Sequence, residues 1–308
     1  MPFFIGGLTI SNVNKKQSFP IRALLYGLRT PGRLFDRFIL YPILDRKIAN
    51  SNLELFVHDK ERGLMRVLNY GERLNWTLES GKVCDAVPWL DRIEPLISKQ
   101  DIVFDIGANM GITANWFANR SKHVYAFEPH PDNISTIKSQ KELRKIENLT
   151  LYDIALGEKE SKMQLHIKGF HGHHSLGDVD NSPTIGKMDV NVRRLDDVFE
   201  ELNITNINFM KIDVEGFEAD VLNGATNLLS DKKVNYILFE LQDTILNSIQ
   251  RTSREVFEIL FNFDYQIIDL NGNLMSDGNS SIPNGDYLAC IDGLDAAKKL
   301  AKSTFELS

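Results

Sequence analysis

From residue 86 onward, short runs rich in β-branched and aromatic residues alternate with stretches whose apolar residues recur at helical spacing. Seven of these runs have the length of a strand, and they cover residues 102–106, 123–128, 149–155, 208–214, 235–240, 265–269 and 287–291. Strands that alternate with helices are typical of βαβ units, in which helices cover a parallel sheet. The sequence therefore predicts an α/β fold built on a mostly parallel sheet of seven strands.

Two segments between the third and fourth of these strands have a different pattern. Residues 163–167 and 188–192 alternate apolar with polar side chains, which is typical of a sheet covered on one face only. We expect them to pair as an inserted antiparallel β-hairpin, joined by a long loop over 168–187. After the fourth strand, the pattern predicts a helix that begins near Phe217 and stops at Gly224, since glycine is favoured just past a helix end.

The first 85 residues lack this regularity and contain turn signals such as Thr30-Pro31-Gly32. We interpret residues 1–85 as an N-terminal cap of helices and a few strands. Residues 86–292 are then the main domain, and 293–308 a polar helical tail.

Charge is distributed unevenly along the chain. Residues 1–48 carry a net charge of +6, whereas the whole chain carries −7, so the main body is strongly acidic. An acidic body argues against a nucleic-acid partner, because neutralising phosphates requires clustered Lys and Arg. The basic leader contains apolar residues around Arg33 and Arg37, which predict either a short amphipathic helix in peripheral contact with an anionic membrane or a segment packed on the main domain.

Cysteine usage and hydropathy indicate the compartment. The two cysteines, Cys84 and Cys290, have no metal-ligand spacing and no disulfide pattern. The chain also shows neither a secretory signal pattern nor an apolar run of about 18 residues. We therefore expect a cytoplasmic protein.

The turn after the first predicted strand carries the main functional signal. Asp105 is followed by Gly107, Asn109 and Gly111 at the start of a helix, and glycines at such a turn allow a ligand to approach the backbone. Glu128 ends the second strand, 17 residues past Gly111, where an acidic side chain can accept hydrogen bonds from both hydroxyls of a ribose. A bound nucleoside is predicted.

The glycine pattern separates two nucleoside ligands. The pyrophosphate of a dinucleotide requires the tight G-x-G-x-x-G turn, and Asn109 stands where that motif has a glycine. S-adenosylmethionine has no phosphate and suits a looser turn with a carboxylate nearby, such as Asp105. We therefore predict a methyltransferase, with Asp153 at the adenine amino group and Ala155 close by.

The chain resembles the FkbM family of methyltransferases over residues 86–292. The resemblance is carried by V-F-D-I-G-A-N-M-G at 103–111, A-F-E-P at 126–129, A-L-G at 155–157, K-I-D-V-E-G at 211–216 and V-L-N-G-A at 221–225. It implies a class I methyltransferase fold of the Rossmann-like type, S-adenosylmethionine as donor and a hydroxyl acceptor, typically on a sugar or a polyketide-like natural product.

Methylation of a hydroxyl requires a group that removes its proton, either a general base or a divalent metal. Asp213 and Glu215 lie at the carboxyl end of the fourth strand, at the sheet edge where open sheets bind ligands, and Glu240 ends the fifth. One of them is expected to act as the base; Mg²⁺ or Ca²⁺ held by Asp213 and Glu240 is the less favoured alternative. Asp213 and Glu215 could instead cap the following helix, and Lys211 is expected to neutralise a carboxylate.

The loop over 168–187 contains three histidines, among them His173 and His174. Such a loop could cover the acceptor, and either histidine could deprotonate its hydroxyl. A mobile polar surface loop is an equal alternative, and a metal site on histidines alone is weakly supported.

Together these features predict an O-methyltransferase that uses S-adenosylmethionine and acts on a saccharide, glycoconjugate or natural product. Two alternatives stay open: a methyltransferase for a protein or lipid-linked acceptor at a membrane, and a non-catalytic protein that binds S-adenosylmethionine. The sequence does not predict the oligomeric state.

Overall fold

The computed structural model describes residues 3–5, 8–11, 54–59, 63–67, 90–168, 174–179, 184–276 and 282–305. The chain divides into two units, one of residues 1–87 with 138–145 and one of residues 88–137 with 146–308. Within this described part, no helix is long and apolar enough to cross a membrane. The boundaries of a cap, a main domain and a tail stay predictions.

The first unit contains an antiparallel sheet in the order β1-β2-β3-β4. Its strands are β1 (Phe3–Ile5), β2 (Leu8–Ser11), β3 (Glu54–Asp59) and β4 (Gly63–Val67). The amphipathic helix predicted around Arg33 and Arg37 lies outside the described residues.

The second unit contains the predicted seven-stranded, mostly parallel sheet. Its strands are β5 (Ile102–Ile106), β6 (His123–Phe127), β7 (Leu149–Tyr152), β11 (Ile207–Ile212), β12 (Val234–Leu241), β13 (Gln266–Asp269) and β14 (Gly285–Cys290). Their order is β13-β14-β12-β11-β5-β6-β7, and β14 runs antiparallel to both of its neighbours. The strands are mainly apolar, with residues such as Val103, Phe104 and Ile212 buried, as expected for a sheet covered on both faces.

Helices connect these strands, as the α/β prediction requires. They are α1 (Leu90–Ile93), α2 (Ile112–Ala118), α3 (Pro131–Arg144), α4 (Leu195–Glu200), α5 (Glu218–Asn223), α6 (Thr226–Ser230), α7 (Asp243–Ser248), α8 (Ser253–Asn262) and α9 (Gly293–Phe305). The sequence-based α/β fold class is confirmed.

The inserted hairpin is also confirmed, although its second strand begins at Thr184, four residues earlier than predicted, and shortens the expected loop. Strands β9 (Ser161–Lys168) and β10 (Thr184–Arg193) pair antiparallel, and β8 (Ala155–Leu156) adds to β10 in parallel. The third predicted strand, 149–155, is therefore too long. The observed strand β7 leaves the central sheet after Tyr152, and Ala155 joins the smaller sheet instead.

Gly224 ends α5 as predicted, but for a different reason. Its φ of −78° is an ordinary helical value, so no left-handed conformation is needed. A Cβ at this position would lie 2.1 Å from the carbonyl oxygen of Gly157. Glycine is required because two backbone segments touch here.

We expect Gly224→Ala to destabilise the protein by about 1–3 kcal/mol, because the added methyl group meets rigid backbone. Gly186→Ala is the matched control, since among the described residues its Cβ would contact Ile167 alone, at an ordinary 3.6 Å. Denaturant unfolding of both variants measures the difference. Equal stability of the two would contradict the close approach.

Candidate active site

The ends of the central parallel strands meet at one edge of the sheet. The register aligns Ile106 of β5 with Phe127 of β6 on one side and with Ile212 of β11 on the other. The residues that follow these strand ends, Gly107, Glu128 and Asp213, therefore lie side by side at the edge of the sheet.

A cavity of about 640 Å³, including its part open to solvent, lies at this edge. It brings together seven residues that the sequence singled out: Gly107, Asn109, Glu128, Ala155, His174, Asp213 and Glu215. Asp105, Gly111 and Asp153 do not line it.

The turn after β5 is held by the protein's own backbone. The N–H groups of Gly107 and Ala108 both donate to the carbonyl of Phe127 at 3.0 Å. Gly107 has a φ of +75°, and a Cβ there would lie 1.9 Å from the carbonyl oxygen of Asp213. The bare Cα of Gly107 makes room for the loop after β11. The expected close approach of a ligand at this glycine stays a prediction.

Gly111, the N-cap of α2, is also explained by internal packing. A Cβ at Gly111 would lie 2.8 Å from Cγ1 of Ile137. Asn109, between the two glycines, has a φ of +51°, and its backbone N–H donates to Oε2 of Glu128 at 2.8 Å. The turn therefore positions Glu128 directly.

Glu128 is a buried carboxylate at the cavity wall. Its Oε1 accepts from the backbone N–H of His130 at 2.8 Å and from Nδ2 of Asn133 at 3.2 Å. Burial raises the pKa of Glu128 to about 7, and these hydrogen bonds together with that from Asn109 oppose the rise.

Asp105 is fully buried beneath the turn. Its Oδ2 accepts from the hydroxyl of Thr113 at 2.6 Å, and its Oδ1 lies 3.5 Å from Nζ of Lys211. Burial raises the pKa of Asp105, while Lys211 and Thr113 act against the rise. The structure thus places Asp105 as a support for the turn and for Lys211, and its expected contact with the ligand stays a prediction.

Asp153 and Ala155 separate at the end of β7. Asp153 is exposed outside the cavity lining, whereas Ala155 lines the cavity together with Ile154 and Leu156. The sequence placed both on one strand, and the early end of β7 at Tyr152 explains why they diverge.

Asp213 and Glu215 line the main cavity and also a second one of about 210 Å³. Nζ of Lys211 lies 3.0 Å from Oδ2 of Asp213, so the expected neutralising contact of Lys211 is present. Glu240 lines the second cavity, where Nε2 of Gln242 donates to its Oε1 at 2.6 Å. All three carboxylates therefore border one acidic space.

The helix-capping alternative for Asp213 and Glu215 does not match the structure. The N-cap of α5 is Phe217, which makes no side-chain capping bond. Instead, the buried Glu218 accepts at Oε1 from the N–H groups of Val214 and Gly216, both at 3.2 Å. Burial raises the pKa of Glu218 to about 7, against these hydrogen bonds.

The sequence interpretation missed two residues of the site, Glu218 and Asn133. The only available signal for Glu218 was an acidic residue in the first turn of a helix, which the helix dipole alone would explain. Asn133, in α3, lines the main cavity with 2% of its surface exposed.

His174 lines the main cavity, whereas His173 lies outside the described residues. Nδ1 of His174 accepts a hydrogen bond from the backbone N–H of Lys168 at 3.2 Å. A neutral imidazole that accepts at Nδ1 carries its proton at Nε2. This arrangement favours His174 as a hydrogen-bond donor over its expected role as base.

Of the loop predicted over 168–187, the structure describes residues 174–179 between the two hairpin strands. Ser175 bridges to His166 by two backbone hydrogen bonds, and its hydroxyl donates to the carbonyl of Glu215 at 2.8 Å. This segment therefore lies against the loop that carries Asp213 and Glu215.

In the part of the chain that the structure describes, no group of three or more acidic, histidine or cysteine side chains is arranged to hold a metal ion. The alternative in which Asp213 and Glu240 bind a divalent cation gains no geometric support from these residues.

Comparisons with known proteins find a matching family and several relatives. The model of a family described as the methyltransferase FkbM domain matches residues 105–267, a little more than half of the chain. The 2-O-methyltransferase NoeI of Sinorhizobium fredii is 24% identical over 188 residues, which cover 56% of this chain and 76% of that protein. The hexuronic acid methyltransferase AglP of Haloferax volcanii is 26% identical over 144 residues, which cover 46% of this chain and 56% of that protein.

A similar solved structure is the methyltransferase FkbM of Methylobacillus flagellatus. It superposes with a TM-score of 0.41 at 17% identity, covering 62% of this chain and 44% of that chain. The match spans less than half of that protein, and a likeness at this score carries no functional argument.

Proposed function

The chain belongs to the FkbM methyltransferase family, and we propose that it transfers the methyl group of S-adenosylmethionine to a hydroxyl of an uncharged saccharide. The name of one relative, a 2-O-methyltransferase, supports oxygen as the acceptor atom, and the name of the other, a hexuronic acid methyltransferase, supports a sugar as its carrier. The restriction to an uncharged sugar rests on the carboxylates that line the second cavity of this chain.

The observation that carries the donor assignment is the acceptor-rich wall of the main cavity. Glu128 is a carboxylate, and Oδ1 of Asn109 and Oδ1 of Asn133 are buried without a hydrogen-bond partner in the described part of the chain. No Lys or Arg of that part lines the cavity. This wall suits a ligand with hydroxyl and amino donors, and it disfavours a pyrophosphate, which brings only acceptors and negative charge.

The cavity offers a place for each part of the donor. Glu128 would receive a ribose hydroxyl, the wall of Ile154, Ala155 and Leu156 would hold the adenine ring, and the turn at Gly107 would lie beside the amino-acid end. When bound, S-adenosylmethionine supplies an electrophilic methyl group on a sulfonium.

The acceptor hydroxyl lies on the side of the second cavity, beside Asp213 and Glu215, which border both spaces. In the transfer, the acceptor oxygen would take the methyl carbon as the carbon–sulfur bond breaks, and a carboxylate of this chain would take the hydroxyl proton. We assign this proton to Asp213, because Lys211 holds its carboxylate in place from 3.0 Å.

Binding of the donor product and turnover test the two halves of this proposal. Calorimetry is expected to detect S-adenosylhomocysteine binding and no NAD binding, and radiolabelled S-adenosylmethionine is expected to label a saccharide acceptor. Binding of NAD instead would overturn the donor assignment. Product binding without labelling of any hydroxylated extract would favour the non-catalytic alternative.

The charge of the second cavity predicts the class of sugar. Asp213, Glu215 and Glu240 surround the acceptor side, and a uronate would place its carboxylate against them, at a cost of several kcal/mol. We expect kcat/KM for a neutral methyl glycoside to exceed that for the matching uronic acid glycoside by about 100-fold or more. The methyl ester of the uronate is the control for size, and preference for the free uronate would reject an uncharged acceptor.

The raised pKa of Glu128 predicts a pH-dependent affinity for the donor. The ionised carboxylate is the better acceptor for a ribose hydroxyl, and burial moves its pKa up to about 7. The ionised fraction of Glu128 thus rises between pH 6 and pH 8, and the Kd of S-adenosylhomocysteine should fall about tenfold over this range. Glu128→Gln should bind more weakly and without this dependence; an unchanged slope in that variant would place the titrating group elsewhere.

A further inference from the structure

The hydrogen bonds around Glu128 leave room for one ribose hydroxyl, not two. In the described part of the chain, its Oε1 accepts from the N–H of His130 and from Nδ2 of Asn133, and its Oε2 accepts from the N–H of Asn109. An ionised carboxylate offers about four acceptor positions. One position remains, on Oε2, whereas a ribose brings two hydroxyls.

Asn133 supplies an acceptor beside this carboxylate. Its side chain lines the main cavity, and its Oδ1 has no hydrogen-bond partner among the residues that the structure describes. Only the NH₂ side of an amide can donate to a carboxylate, so the bond from Nδ2 to Glu128 fixes which way the amide faces. A buried amide oxygen left unpaired costs about 1–3 kcal/mol, and a ligand hydroxyl removes that cost.

We infer that Asn133 is the second half of the ribose site: its Oδ1 accepts one ribose hydroxyl, and Oε2 of Glu128 accepts the other. This inference rests on the proposed function, because it requires a nucleoside in the main cavity. It makes Asn133 a specificity-determining residue that recognises a ribonucleoside with both hydroxyls present.

A double-mutant cycle between the side chain and the ligand tests this assignment. Calorimetry at pH 8, where Glu128 is ionised, compares S-adenosylhomocysteine with its 2′-deoxy and 3′-deoxy derivatives. In the unaltered protein, each derivative should bind about tenfold more weakly than the parent compound. In Asn133→Ala, the affinity for S-adenosylhomocysteine should fall about tenfold. One deoxy derivative should then bind as well as S-adenosylhomocysteine does, while the other should still bind about tenfold more weakly.

Two control variants locate the effect. Ser135→Ala changes an exposed residue of the same helix and should reproduce the unaltered protein. Asn109→Gly removes the other buried amide oxygen at a position with a φ of +51°. In this variant each deoxy derivative should still bind about tenfold more weakly than S-adenosylhomocysteine. Coupling to Asn109 instead of Asn133 would overturn the inference.

The remaining outcomes also discriminate. Asn133→Ala with both deoxy losses preserved would show that Oδ1 meets no ribose hydroxyl, and the inference would fail while the proposed function stands. If the unaltered protein does not bind S-adenosylhomocysteine, the proposed function itself fails. Should Asn133→Ala not fold, Asn133→Ser is put through the same titrations.

Discussion

Replacement of Asp213 by asparagine is expected to lower kcat by about 10²- to 10⁴-fold, the usual contribution of a positioned general base. The amide keeps the shape of the side chain but cannot take the proton of the acceptor hydroxyl. The Kd of S-adenosylhomocysteine should change less than about threefold, because the variant removes an interaction made in the transition state. Single-turnover methyl transfer and calorimetry measure the two quantities separately.

Two further variants show whether the effect belongs to Asp213. Asp231→Asn removes a carboxylate that forms an exposed ion pair with Lys233 at 3.2 Å, and it should leave kcat unchanged. Glu215→Gln tests the neighbouring carboxylate that lines the same two cavities. A large loss in Glu215→Gln with normal turnover in Asp213→Asn would transfer the role of base to Glu215.

The central sheet could be predicted from sequence because its strands are buried on both faces. Runs such as residues 102–106 and 207–212 are mainly apolar, and the observed strands of the central sheet begin and end within two residues of the predicted bounds in every case but one. The exception is β7, which ends at Tyr152 because Ala155 pairs with Val192 of the smaller sheet. That pairing is a long-range contact with no local signal.

The glycines show where local interpretation fails. Gly107 was correctly recognised as special, yet the atom that requires it is the carbonyl oxygen of Asp213, more than a hundred residues away. At Gly224, likewise, a Cβ is excluded by the carbonyl oxygen of Gly157. A sequence pattern can show that a Cβ is not tolerated, but only the fold identifies the group that excludes it.

The residues that line the main cavity could be predicted where they lie at the end of a strand. Glu128 and Asp213 follow parallel strands in register, so the topology alone brings them to one cavity. Asn133 lies within a helix, and its orientation depends on a hydrogen bond to Glu128. A position near a strand end is not sufficient, however. Asp105 lies near the end of β5, yet it is buried beneath the cavity, where it contacts Lys211.

Substitution of Lys211 by methionine is expected to lower the free energy of unfolding by about 3–5 kcal/mol. Its ammonium lies between Oδ1 of Asp105 at 3.5 Å and Oδ2 of Asp213 at 3.0 Å, and it donates to the carbonyl of Gly107 at 3.3 Å. Burial alone would lower the pKa of Lys211, but Asp213 and Asp105 raise it above its ordinary value, so the side chain stays charged. Without this charge, Asp105 is a buried carboxylate with no cation beside it. Urea unfolding measures the loss.

An exposed lysine and a double variant separate charge compensation from packing. Lys233→Met removes an ion pair whose side chains are 42% and 58% exposed, and it should cost at most about 1 kcal/mol. The double variant Lys211→Met with Asp105→Asn should recover part of the stability lost in Lys211→Met, since the uncompensated carboxylate is gone. If the effects of the two substitutions simply add, the loss comes from packing, and Lys211 supports the turn at Gly107 by its bulk instead of its charge.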